Sequence, residues 1–208
     1  MLIQTTLFTA SLLSMVTTTP ITREAKTECT VEELPAYLSK CQLKVPSSPS
    51  HLTLGVGTQN YTCVGVGTYG YLGANVVLLD TSCTPEDEQD TLTEDTWAAY
   101  VQDGNVDFNA VHADERNVGD YHFETDLPLF TIGDQSMYAI VSQQAKSTDK
   151  ANFNEWELKA MAGTKTDLAT EVYQVSTKGG IAPSSCNVDT DGGLVLAVPF
   201  VATYAFSS

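Results

Sequence analysis

From Leu52 onward the chain is written in short runs of Val, Tyr, Thr and Leu punctuated by glycine, as in HLTLGVGTQNYTCVGV and YGYLGANVVLLD. Runs rich in β-branched and aromatic residues are strand signals. They succeed one another too closely for βαβ units, whose parallel crossover takes a dozen residues or more, so antiparallel hairpins are expected. MYAIVSQQAK, EWELKAMAG, TEVYQVST, LVLAVPF and VATYAF continue the style, and Trp156, Leu158 and Ala160 alternate with Glu155, Glu157 and Lys159. That is the period of a strand with one buried face. The expected fold class is all-β, an antiparallel sandwich or distorted barrel with one or two short peripheral helices.

One glycine cluster, Gly65-Val66-Gly67-Thr68-Tyr69-Gly70, carries the letters of a dinucleotide-binding loop. Such a loop must leave a strand and open a helix whose N-terminal amides face the pyrophosphate. Here Gly70 leads instead into a second strand, YLGANVVLLD. A glycine-rich hairpin is the expected structure, and no cofactor is expected.

Two segments read as helix. Thr30 followed by Glu33 has the pattern of a capping box and opens one or two turns limited by Pro35. Leu92, Thr96, Ala99 and Tyr100 fall at helical spacing, giving a helix near 93–102 ended by Asp103-Gly104.

The first residues contain an apolar run, LFTASLLSMV, of the length of a secretory h-region and too short to span a bilayer. Residues 1–18 are read as a signal peptide, 19–50 as an N-terminal arm and 51–208 as a single β-rich domain. Five cysteines, Cys29, Cys41, Cys63, Cys83 and Cys186, stand singly, without the paired spacing of a zinc or thioredoxin-like site, and read as disulfides with one thiol left over. Secretion to the extracellular space is the expectation.

The net charge is −16, and residues 85–134 hold fourteen of the twenty-six carboxylates beside a single basic residue, Arg116. Nucleic acid and anionic membrane are excluded as partners by Coulombic repulsion. The acidic stretch reads as a solvated loop region, with a cation or cationic-glycan site as the sharper alternative.

Three histidines, His51, His112 and His122, have no metal-ligand spacing, and no G-x-S-x-G is present. No metal site is expected, and catalytic residues remain unassigned. Asn60-Tyr61-Thr62 is a glycosylation sequon. Among the aromatic side chains, Tyr69, Tyr71, Trp97 and Tyr121, with His122 beside them, are the candidate ligand contacts, because Tyr and Trp present an apolar face with a polar edge.

The ordered segments LGVGTQNYTC, LLDTSC, VSTKGGIAPSSC and VPFVATYAF resemble a secreted fungal and bacterial domain family of unknown function, often labelled malate dehydrogenase. The resemblance covers about residues 29–206 and is most specific at Thr177-Lys178-Gly179-Gly180 with Ala182-Pro183 and Cys186. It implies a secreted single β-rich domain with no catalytic residues to carry over. It also implies a bridge between Cys63 and Cys83 and one between an N-terminal cysteine and Cys186, leaving Cys29 or Cys41 over; by distance from the LGVG segment Cys29 is chosen as the partner of Cys186. The chain departs from the family near His122, where relatives carry a histidine one place earlier. Dehydrogenase activity is not expected, since hydride transfer to a dicarboxylate needs a nicotinamide site and cationic clamps, and only ten basic residues are present.

The sequence therefore points to a monomeric, secreted, disulfide-stabilised domain acting without catalysis at a cell surface or on a host. The alternative is a carbohydrate-binding module or weak glycan-active hydrolase. The expected partners are a cell-wall glycan or a host protein.

Overall fold

The computed structural model describes Val31 and residues 34–208. The segment read as a signal peptide, the capping box expected at Thr30 and Cys29 lie outside the described residues.

Of the ten strands described, β3 (Val101–Gln102) and β4 (Asn105–Val106) form a small separate hairpin. The other eight are β1 (His51–Val64), β2 (Thr68–Asp80), β5 (Asn117–Glu124), β6 (Leu127–Ile132), β7 (Gln135–Ala145), β8 (Glu155–Ala160), β9 (Glu171–Gly179) and β10 (Val195–Ser207). Each pairs antiparallel with the next, and β1 also pairs with β10, from His51 opposite Phe206 to Thr62 opposite Val195. The sheet is a closed up-and-down barrel, the second of the two architectures expected. Closure leaves none of the eight strands with a free edge.

The two successive strand signals LVLAVPF and VATYAF form one continuous strand, β10, with Pro199 inside it. The Pro199 carbonyl accepts from the Gly180 amide, on the side of β9. A residue's N and O point to the same side of an antiparallel strand, so the proline nitrogen faces the place where β9 has already ended, and no ladder bond is lost.

The interior is solid. Tyr121, Phe130, Met137, Leu158, Phe200, Tyr204 and Phe206 meet there with no exposed surface, and Tyr121 stacks on Phe130 at 4.3 Å between ring centroids. Leu168 and Ala169, from the β8–β9 connection, join this core and close one end. The opposite end, formed by the β1–β2, β5–β6, β7–β8 and β9–β10 connections, is the mouth.

Strand β1 is buried on both faces because its outer side is also covered. Leu54 and Val56 pack outward beneath the long β2–β5 connection, against Val77, Leu79, Val201 and Trp97. Leu52 packs outward with Leu38 and Leu43 of the N-terminal arm, whose 3-10 helix η1 (Ala36–Lys40) begins after Pro35.

The β2–β5 connection carries α1 (Glu86–Gln89), α2 (Leu92–Tyr100) and α3 (Phe108–Ala113), and a fourth short helix, α4 (Val188–Asp191), lies between β9 and β10. The helix expected near 93–102 stops at Tyr100. Asp103 and Gly104, at φ 49 and 74, form the turn of the β3–β4 hairpin, a place that demands two left-handed residues. Helix α3 is capped by Asp107, whose side chain accepts from the Ala110 amide.

The bridges differ from those the resemblance implies. Cys63 is bonded to Cys186, with Cα atoms 5.9 Å apart. Cys83 is also disulfide-bonded, and Cys41 is free. Cys63 sits opposite Tyr69 at the mouth end of the β1–β2 hairpin, whereas Cys83 comes just after Asp80, which pairs with Thr53 at the other end. That length of strand, about 33 Å at roughly 3.3 Å per residue, is far beyond disulfide reach. With Cys63 bonded to Cys186, the implied pairing of Cys29 with Cys186 falls as well.

Candidate binding site at the barrel mouth

The letters Gly65 to Gly70 form the tip of the β1–β2 hairpin. Gly67, at φ 75, makes the turn, its amide donating to the Val64 carbonyl. The Cys186 amide donates to the Gly67 carbonyl, so the β9–β10 connection lies against this tip and the Cys63–Cys186 bridge fastens it there. Between the two lies a depression of about 300 Å³ lined by Tyr61, Tyr69, Phe153, Asn154 and the run Ile181 to Ser184, with Thr68 at its edge.

The floor is aromatic. Tyr71 stands at its centre, with ring centroids 5.5 Å from Tyr61, 5.7 Å from both Phe123 and Phe153, and 5.8 Å from Trp156. These edge and tilted contacts are the favourable geometries for quadrupolar rings. The Tyr61 hydroxyl donates to the Gly180 carbonyl at 2.5 Å, and that of Tyr71 donates to Gln59 Oε1 at 2.6 Å. Gly180 has to be glycine: its φ is 82, and a Cβ there would stand 2.6 Å from the Phe200 ring.

Electrically the floor is neutral. Burial pushes the Tyr61 phenol up to about 12, and burial likewise raises Tyr71 and Tyr121. All three remain protonated at any physiological pH.

The five candidate contacts separate. Tyr69 lines the mouth, Tyr71 packs beneath it against Tyr61 and Phe153 of the lining, and Tyr121 lies deeper in the core. Trp97 is outside the barrel wall on α2, where it packs on Gly179 and under the Lys178 ammonium at 5.4 Å. His122 is on the outer face of β5, its Nδ1 2.6 Å from Asp120 Oδ1. Sequence reasoning passed over Phe153, Gln59 and the Ile181 to Ser184 run. Gln59 had a signal, being the one amide side chain among the alternate positions of β1 that face the core.

A second recess of about 290 Å³ lies between the arm, α2 and β9, with Cys41, Glu94, Glu155, Ser176 and Lys178 on its walls. Glu155 is buried and accepts from the Gln42 and Leu43 amides at 2.8 and 3.0 Å, which pins the arm. Burial, then the charge of Glu155, pushes the Cys41 thiol up to about 11. Such a thiol is a weak hydrogen-bond donor and a poor nucleophile. Lys178 pairs with Glu94.

Among the described residues no three metal-binding side chains converge, and His112 packs on Phe108 of its own helix. Asn60 is half-buried on a strand paired on both sides, its Oδ1 taken by the Thr58 hydroxyl. No helix among the described residues is long and apolar enough to cross a membrane.

Fold and mouth together define an eight-stranded antiparallel barrel with a packed core and a small, uncharged, aromatic opening pinned by a disulfide. Residues 45–208 match the family described as Protein of unknown function (DUF3455), and the chain belongs to that family. No curated protein and no solved structure matches it.

Proposed function

We propose that the protein works outside the cell as a non-catalytic binding protein, and that its working surface is the aromatic mouth whose rim Cys63–Cys186 fastens. The observation that carries this reading is the composition of the depression: its walls hold three aromatic rings and no carboxylate, imidazole, thiol or ammonium. Thr68, Ser184 and the two tyrosines bring hydroxyls, but no carboxylate, imidazole or amine on the walls stands beside them to act as the base that would activate one. A glycosidase would need two carboxylates facing one groove. The volume lies at the small end of ligand pockets, which suits one ring rather than a long polymer.

The extracellular setting rests on the N-terminal apolar run and on the bridged cysteines. A sugar ring of a cell-wall glycan fits the half-exposed Tyr69 beside Asn154 and Ser184, and it is the first ligand class to try. The test is titration of the purified protein with ring compounds and short gluco- and chito-oligosaccharides, monitored by calorimetry. The expected result is saturable binding weakened at least tenfold in Tyr69→Ala. Turnover of a glycan or ester, abolished by one substitution, would overturn the reading.

A further inference from the structure

We infer that the mouth continues into a deeper recognition layer, and that its ligand is a small uncharged ring compound carrying carbonyl or ether acceptors. The inference rests on the mouth being the working surface and names what it takes.

Directly beneath the aromatic floor, three polar atoms have no hydrogen-bond partner within the protein: Gln59 Nε2, Trp156 Nε1 and the Tyr121 hydroxyl. Their residues are 0 %, 6 % and 0 % exposed. All three surround Tyr71. Gln59 takes the Tyr71 proton on its oxygen, Trp156 meets the Tyr71 ring edge-on, and the Tyr121 hydroxyl approaches that of Tyr71 closely enough to interact with it, which leaves the two nitrogens as the wholly unpartnered donors. The remaining orphan atom among the described residues, Thr53 Oγ1, sits toward the closed end, where Thr53 pairs with Asp80.

Buried donors are nearly always satisfied, so two in one layer beneath the aromatic floor, Gln59 Nε2 and Trp156 Nε1, mark a place built for acceptors. The amide and indole nitrogens can only donate, and the Tyr121 hydroxyl can donate as well. No cationic side chain shares the layer or lines the mouth, so an anion would be desolvated without a counter-charge. The surrounding rings of Tyr61, Tyr71, Phe123 and Phe153 favour a flat apolar body. A neutral bicyclic lactone or ketone seated in the depression meets each requirement, its acceptors directed toward the donors below the floor.

The chain has two tryptophans, Trp97 outside the barrel and Trp156 in this layer, so a nitrogen-15 spectrum contains two indole signals. The probes are coumarin, its anionic 3-carboxylate, naphthalene as the ring without acceptors, and a gluco-oligosaccharide. Coumarin is expected to bind and move the Trp156 indole proton downfield while leaving that of Trp97 in place. The 3-carboxylate should bind at least tenfold more weakly. Trp156→Phe should weaken coumarin about tenfold and leave naphthalene unchanged, a contrast that a misfolded variant could not produce. If the oligosaccharide binds and coumarin leaves the Trp156 signal unmoved, the deeper layer holds ordered water only and this inference fails while the mouth survives. If neither binds, both fail.

Discussion

The ring of Tyr204 occupies the space that a side chain at Gly55 would fill: a Cβ there would stand 2.3 Å from Cε2 of Tyr204 and 2.7 Å from Cγ1 of Val76. Both neighbours are fully buried, so neither can swing aside. Gly55→Ala should therefore lose about 1–3 kcal/mol by overpacking. Urea denaturation measures it, and an unchanged midpoint would mean that the core has slack.

The Cys63–Cys186 bridge joins positions 123 residues apart and fastens the hairpin tip to the β9–β10 connection. Cys63→Ser combined with Cys186→Ser should cost about 2–4 kcal/mol, chiefly through the freer unfolded chain. Mapping of peptides without reduction should recover the Cys63 and Cys186 peptides joined. Recovery of Cys63 with Cys83 would contradict the barrel register.

The Asp114 carboxylate receives Arg116 Nε at 3.1 Å and Nη2 at 2.9 Å, the Arg116 amide at 2.8 Å and the Tyr100 hydroxyl. The Arg116 guanidinium, first among these, holds the acid well below its ordinary 3.8. A folded-state value below the unfolded one stabilises the ionised fold above the unfolded value, and that stability is lost as pH falls toward the folded one. With Arg116 partly screened by solvent, Asp114→Asn should cost about 1 kcal/mol at neutral pH. The gap between variant and wild type should hold down to about pH 5 and shrink below about pH 4. Denaturation at several pH values measures it, and a gap that widened on acidification would refute the assignment.

Cys41, held near pKa 11, leaves roughly one thiol in a thousand ionised at pH 8. Alkylation of the folded protein at that pH should be slow at Cys41 and become fast in guanidinium, as read by peptide mapping. Rapid alkylation of the folded chain would show the thiol to be open and activated.

The strands were legible because inward and outward residues alternate, as at Trp156 against Glu157, and because glycine marks the hairpin tips. Closure was not legible: whether β10 returns to β1 depends on pairing between residues as distant as His51 and Phe206, which leaves no local signature. That LVLAVPF and VATYAF are one strand was not legible either, since a proline such as Pro199 is harmless inside a strand only by its position beside the end of β9. Asp103-Gly104 suits a helix end and a hairpin turn alike, and the pairing of Val101 with Val106 decides between them. At the site, Tyr69 and Tyr71 were chosen for their chemistry, whereas Phe153 enters from a connection whose position only the folded wall determines.

The seam between β1 and β10 has a consequence for how the chain reaches this state. Twelve residue pairs zip it, and every one joins segments more than a hundred residues apart. Neither face of β1 can be finished until β10 has been made, because Tyr204 fills the interior beside Gly55 and Val201 covers Val56 from outside. Folding is thus governed by a late, long-range encounter, which is slow compared with hairpin zippering. A nascent chain stopped before Val195 would present two unfinished strands, β1 and β9, each able to pair with a neighbouring molecule.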